Sequence, residues 1–180
     1  MKKHTQQLFK EYKVGDNKLR EIFLRANDLT GINLAEADLE EADLNGANLT
    51  GADLTQAYLH KANLGNTNLK RAVLSQAELW FVDLGQANLE EADLEEANLK
   101  NAYLWRANLA LANLKKVYFK DANLVQANLW RANLKGADFR GANLTGATLK
   151  AVRIDRAKYN KNTIFPQNFD PVIAGMIFRP

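Results

Sequence analysis

Few groups in this 180-residue chain could do chemistry. There are two histidines, His4 and His60, and no cysteine. A histidine acts as a general base when a nucleophile such as Ser and an orienting carboxylate lie within reach. Neither His4 nor His60 sits in such an arrangement. Without Cys there is no thiolate nucleophile, no thiolate metal site and no disulfide. No Gly-rich loop follows a strand and opens a helix, as a phosphate site would need. Asp and Asn alternate at one recurring position, which is calcium-ligand chemistry, but the G-G-x-G-x-D pattern of calcium-binding β-rolls is absent. The sequence therefore predicts a protein that is not an enzyme, with no cofactor and no metal.

Recognition chemistry is better represented. Trp80, Trp105 and Trp130 are evenly spaced, and two of them are followed by arginine, as Trp105-Arg106 and Trp130-Arg131. Trp and Arg are enriched at binding hot spots. Charge is unevenly spread: residues 28 to 96 carry Glu36, Glu40, Glu41, Glu90, Glu91, Glu95 and Glu96, whereas Lys100 opens a mostly basic stretch. The formal net charge is +3. The start, "MKKHTQQLFKEYK", has no apolar segment behind its basic residues, and no run of about 18 apolar residues occurs anywhere. A cytoplasmic protein with no membrane span is expected.

What positions the Trp residues is a repeat of five. Leu recurs from Leu29 to Leu149 in steps of five, replaced only by Phe119 and Phe139. Two residues before most of these stands Ala, from Ala37 to Ala147; from residue 32 onward the exceptions are Ile32, Thr67, Val82 and Val117. Five residues turn an α-helix by roughly 500°, so successive Leu residues would lie about 140° apart and form no stripe. A straight strand fails too, because an odd period flips each Leu to the opposite face. The Ala–Leu pair, two apart, shares one face of a short extended segment. A turn after each pair returns the next pair to the same interior, and turning repeatedly in one sense makes a stacked coil.

The stretches "ANLTGADLTQAYL", "ANLEEADLEEANL" and "ANLKGADFRGANL" resemble the A(D/N)LXX motif of the pentapeptide-repeat family. The resemblance covers roughly residues 30 to 159. It implies an all-β solenoid, a right-handed quadrilateral β-helix with four pentapeptides per coil and about six coils. The tail "YNKNTIFPQNFDP" is similar to tails on cyanobacterial members.

With four repeats per coil, residues twenty apart stack at roughly 4.8 Å. One inward column then runs Leu39, Leu59, Leu79, Leu99, Phe119, Phe139, Tyr159, with aromatic rings in register. An outward column, Asn48, Asn68, Asn88, Asn108, Asn128, is expected to form an amide ladder. Glu40-Glu41 should face His60-Lys61, Lys70-Arg71 should face Glu90-Glu91, and Glu95-Glu96 should face Lys115-Lys116. The three Trp residues wind diagonally up the rod. The candidate interface is Trp80, Trp105, Arg106, Leu111, Val125, Trp130 and Arg131, most of it along one edge. The alternative is that each Trp merely packs over its neighbours.

Residues 1–28 are expected to form an N-terminal cap, with a helix capped by Thr5, faced by Leu8, Phe9 and Tyr12 and ended at Gly15. Ala26 comes one position early, so the first coil is expected to be irregular. The repeat domain spans 29–159, and 160–180 forms a C-terminal cap drawing on Phe165, Phe169, Ile173, Met176, Ile177 and Phe178. Asp170-Pro171 reads as a helix N-cap with Pro at the first helical position. The function expected is a non-enzymatic interaction or scaffold module for an unidentified protein partner, with self-association into a homo-oligomer as a further expectation. The resemblance also offers gyrase binding by mimicry of DNA. That needs a strongly negative rod, which this chain is not. A basic C-terminal half that holds an anionic partner is a third reading, with nucleic acid itself disfavoured.

Overall fold

The computed structural model describes residues 19–180. The N-terminal helix expected around Thr5 to Gly15, and His4, lie outside the described residues. From Phe23↔Asp43 to Asp138↔Lys158, parallel β-bridges join residues twenty apart. A turn follows every five residues, so each coil has four short sides. The column Phe23, Asp43, Asn63, Asp83, Tyr103, Asn123, Asn143, Ile164 holds eight residues and seven steps. That is one step more than the about six coils expected, because coil geometry reaches down to residue 19. The irregular first coil expected from Ala26 does not appear. Ala26 takes the left-handed corner position at φ 52°, and Asn27, nearly buried, takes the inward place that Ala fills above.

Each side repeats one hydrogen-bond unit. The amide of Leu39 donates to the Tyr58 carbonyl in the next coil (2.8 Å), and the amide of Tyr58 donates back to the Ala37 carbonyl (2.9 Å). At the corner, Ala42 N donates to Leu39 O (3.0 Å), which closes the turn. The second corner residue, Glu41, has φ 58°, and almost every corner repeats this. A left-handed L-residue costs roughly 1–2 kcal/mol. The conformation persists because it aims the Glu41 amide at the His60 carbonyl (2.9 Å), tying the corner to the coil above.

The geometry also explains why Asp or Asn precedes Leu. The Asp38 carboxylate accepts from the Glu40 amide (3.2 Å), and Asn33 accepts likewise from Ala35 (3.0 Å). A short polar side chain of this kind bonds to backbone two residues on and starts the turn. The inward Leu residues from Leu19 to Leu144 are essentially fully buried. Each contributes about 1.5–3 kcal/mol by burial. Thr67 replaces an inward Ala and satisfies its hydroxyl by donating to Leu64 O (2.6 Å). Phe119 and Phe139 stack with centroids 5.2 Å apart and planes 17° from parallel.

Several expected details take a different form. The amide ladder begins at Asn68, not Asn48: Asn68 Nδ2 donates to the Thr50 hydroxyl (2.9 Å), which stands between the two. Above it the chain of bonds is unbroken, with Asn88 donating to Asn68, Asn108 to Asn88, and Asn128 to Asn108 (3.2, 3.1 and 2.9 Å). The charge doublets pair as expected at Lys61–Glu41 (2.8 Å), Lys70–Glu90 (3.1 Å), Arg71–Glu91 (2.8 Å), Lys115–Glu95 (3.4 Å) and Lys116–Glu96 (2.7 Å). His60 is the exception. Its ring lies against Trp80, and Glu40 bonds to Arg20 instead (2.7 Å).

The upper end is closed by one more rung. Strand β1 (Lys158–Tyr159) pairs in parallel with β2 (Ile177–Phe178), and the Ile177 amide donates to Ala157 O (2.7 Å). One residue is inserted before Ile164, so Asn143 pairs with Ile164 across twenty-one positions, while β1 and β2 pair across nineteen. Asn160 and Thr163 absorb the insertion: Asn160 Oδ1 accepts from the Gly141 amide (3.0 Å) and the Thr163 hydroxyl donates to Phe139 O (3.0 Å). Tyr159 does not extend the Phe stack. It turns edge-on to Phe165 and Phe178. Asp170 accepts from the amides of Val172 and Ile173 (2.8 and 3.1 Å), but the segment it caps is a turn over 171–175, not a helix. Ile173 is not part of the lid, being 86% exposed. Phe165, Phe169 and Met176 do cover the last coil.

Candidate functional site

Corners are where side chains leave the coil freely, and each column of corners can be followed upward by twenties. Trp105-Arg106 stands above Gly85-Gln86 and below Val125-Gln126. Trp130-Arg131 stands above Ala110-Leu111 on the next corner. The face between these corners carries the Asn68–Asn128 ladder. These six residues do not share one edge as expected. Trp105, Arg106 and Val125 stand on one corner and Leu111, Trp130 and Arg131 on the next, because five residues carry the chain to a new corner, so they form the two edges of one face. Trp80 is set apart on the preceding corner, continuing the diagonal.

Two of the Trp rings lie over the residue one coil below them. Trp80 covers His60, with ring centroids 4.0 Å apart. The indole of Trp105 lies on Gly85, which is buried although it sits at a corner. Ala110, one coil below Trp130, is likewise buried. A glycine therefore seats the Trp105 indole, and the residue below Trp130 is also small. The outer rings stay available: Trp105 and Leu111 are 39% exposed and Trp130 38%. Val125 is half-buried. The guanidinium of Arg106 sits 5.8 Å from the Trp105 ring, and that of Arg131 5.2 Å from Trp130. Cation–π contacts at exposed sites contribute about 0.5–1 kcal/mol and hold both groups in place. Arg106 is also anchored by donating to Gln126 Oε1 (2.7 Å).

A Cβ on Gly85 would meet Nε1 and Cε2 of Trp105 inside van der Waals contact. Gly85→Ala is therefore expected to lift the indole from its seat while leaving the coil intact, since Gly85 has an ordinary negative φ. The expected readout is a red-shifted Trp emission with about 1 kcal/mol lost stability. Unchanged emission would show that Trp105 is not seated there.

Two further features escaped the sequence reading. Phe81 and Tyr103, both exposed, join Trp105 and Asp83 around a shallow hollow on the face beside the ladder. Around the corner lies a groove of about 830 Å³ lined by Arg20, Glu36, Asp38, Glu40, Gln56, Tyr58, His60, Gln76 and Glu78. Arg20 bridges Asp38 (3.2 Å) and Glu40 (2.7 Å). Burial pushes His60 below its usual pKa, against the pull of Glu40, Glu78 and Asp38. A neutral His60 leaves four carboxylates facing one guanidinium in this groove. Reading every column by twenties would have found it: Asp38, Tyr58 and Glu78 share one column, flanked by Glu36 and Glu40. Among the described residues no group of three or more His, Asp or Glu is placed to hold a metal ion, and no helix is long and apolar enough to cross a membrane.

Known proteins place this geometry. The family described as pentapeptide repeats matches over residues 19–57, 52–90, 87–124, 112–150 and 122–158. HetL, a pentapeptide repeat protein involved in heterocyst differentiation regulation from the cyanobacterium Nostoc sp. strain PCC 7120, is similar in structure. It is 31% identical, with a TM-score of 0.60 over 89% of this chain and 76% of that one. QnrB1, a plasmid-mediated fluoroquinolone resistance protein, aligns over 93% of this chain and 88% of its own with a TM-score of 0.63. At 17% identity that likeness concerns the fold alone. No curated protein sequence matches this chain. The five-residue corners, the twenty-residue register and the family match over residues 19–158 agree, and the chain belongs to the pentapeptide-repeat family.

Proposed function

We propose that the protein is a non-enzymatic interaction scaffold, a right-handed four-sided rod that docks a protein partner on the face edged by its two Trp–Arg corners. The observation that carries this reading is the pair of doublets. Trp105-Arg106 and Trp130-Arg131 are exposed, held by cation–π contacts, and mounted on a face whose amides already bond to one another. A partner meeting this face finds ordered aromatic and guanidinium groups that need little further ordering, which is how affinity is gained at low entropic cost. Most acidic corner doublets are occupied with Lys or Arg one coil away, which supports a structural use for them rather than catalysis. The same pairing weakens the gyrase reading, because DNA mimicry needs unneutralised negative charge. HetL is described as acting in regulation of differentiation; a regulatory contact in the cytoplasm is the role proposed here.

Trp105→Ala/Trp130→Ala is the test. Proteins captured from the native lysate by wild type are identified, and their binding to purified wild type and variant is compared. The expected result is at least about a 30-fold loss, the effect of removing a hot spot of about 2 kcal/mol, with circular dichroism unchanged. Equal binding by both proteins would end the reading.

A further inference from the structure

The face that bears the acidic groove has a second half of opposite charge. Its central column runs Asp38, Tyr58, Glu78, Asn98, Tyr118, Asp138, Lys158. The lower half carries the groove with its four carboxylates and one guanidinium. Glu36 and Glu78 have no ion-pair partner among the described residues, and Glu78 accepts only the Asn98 amide (2.7 Å). Along the upper half, Lys100, Lys120 and Lys158 are exposed and likewise without an ion-pair partner among the described residues. Lys100 and Lys120 continue the corner column of Glu40, His60 and Trp80. Elsewhere on the rod, Lys and Glu facing across one coil neutralise each other. On this face the unpaired charges are instead sorted by height.

We propose that this face binds a second copy of the same chain, antiparallel, in a closed two-fold dimer. A two-fold axis crossing the face between Glu78 and Asn98 places Tyr58 of one copy opposite Tyr118 of the other. These two tyrosines, 49% and 52% exposed, lie three steps apart in the column, symmetric about that axis. The same operation brings Lys120 to the height of His60, at the mouth of the partner's groove between Glu40 and Glu78. Lys100 comes to the height of Trp80. Each contact occurs twice, as an isologous interface requires. A second copy fits the groove because the chain itself carries, at the matching heights, the cations Lys100 and Lys120 that complement it. This face is not the Trp–Arg face of the proposed function, and the two readings stand or fall separately.

The test uses two charge reversals on the full chain. Glu36→Lys/Glu78→Lys makes the lower half positive, and Lys100→Glu/Lys120→Glu makes the upper half negative. All four positions are outside the core, and circular dichroism checks the fold of each variant. In sedimentation at low salt, wild type is expected to be a dimer that dissociates as salt screens the contact. Each variant alone presents like charge to like and is expected to self-associate at least about ten-fold more weakly. Mixed one to one, they present opposite charges at both contacts and are expected to restore the dimer. A wild-type monomer at low salt would overturn the proposal, as would association that grows past a dimer. A dimer that ignores both salt and the reversals, or a mixture that stays monomeric, would also overturn it. Trp105→Ala/Trp130→Ala is expected to dimerise like wild type.

Discussion

Phe119→Ala is expected to lower the stability of the rod by about 3–5 kcal/mol, the largest effect of any single truncation of its interior. Phe119 is fully buried, and its ring is parallel to Phe139 one coil above. Removing it leaves a cavity inside a coil that cannot collapse, because the backbone on all four sides is fixed to coils above and below. It also strips Phe139 of its stacking partner. Phe119→Leu is expected to cost far less, about 1 kcal/mol, because Leu39, Leu59, Leu79 and Leu99 fill the same column below. Urea unfolding of Phe119→Leu, Phe139→Leu and the double variant closes a cycle. The coupling expected is about 0.5–1.5 kcal/mol, the contribution of an aromatic pair beyond its buried area. A coupling near zero would mean that the two rings fill space independently.

How much of this could be read from the sequence depended on distance along the chain. The five-residue beat made the coil legible, because a Leu at every fifth position is incompatible with either a helix or a straight strand. Counting by twenties then placed Lys61 on Glu41 and Phe119 under Phe139, since stacking in register leaves little freedom. What counting could not supply was the size and reach of each side chain. Thr50 interrupts the Asn ladder because its hydroxyl, at a corner, comes closer to Asn68 Nδ2 than Asn48 does. His60 leaves Glu40 because Trp80 above offers it an aromatic face, while Arg20 supplies Glu40 with a better partner. The Trp–Arg corners were visible as residue types. Their seats were not, because Gly85 and Ala110 look like filler until the coil places an indole over one and a Trp doublet above the other. The acidic groove was missed for a related reason. Glu36 and Glu40 stand out in the sequence only as acidic residues, Asp38 and Glu78 not at all, and only the coil assembles the four around Tyr58.

Arg140→Ala is expected to produce the second large effect, and one that depends on pH. Asp138 is nearly buried at 4% exposure, on the same column as Tyr118. Burial by itself would raise its pKa, but the guanidinium and backbone amide of Arg140 hold it below the usual carboxylate value. Arg140 Nη2 lies 2.7 Å from Oδ2, and Nε lies 2.9 Å from Oδ1. Cutting away the guanidinium strands a buried charge, a loss of about 3–5 kcal/mol when both partners are dry. Arg140 is about a third exposed, so water replaces part of the contact and about 2 kcal/mol is expected at pH 7. A carboxylate with a depressed pKa stabilises the fold fully above its unfolded value, about 3.9, and loses that contribution as pH falls through its folded value. The gap between wild type and Arg140→Ala should therefore be widest near neutrality and shrink as pH drops below about 4. Arg140→Lys should fall between them, because an ammonium cannot reproduce the fork that grips both oxygens. Thermal melts from pH 7 to pH 3 read the difference directly. A gap that stays constant across that range would assign the effect to packing of the arginine stem and remove the ion pair from the account.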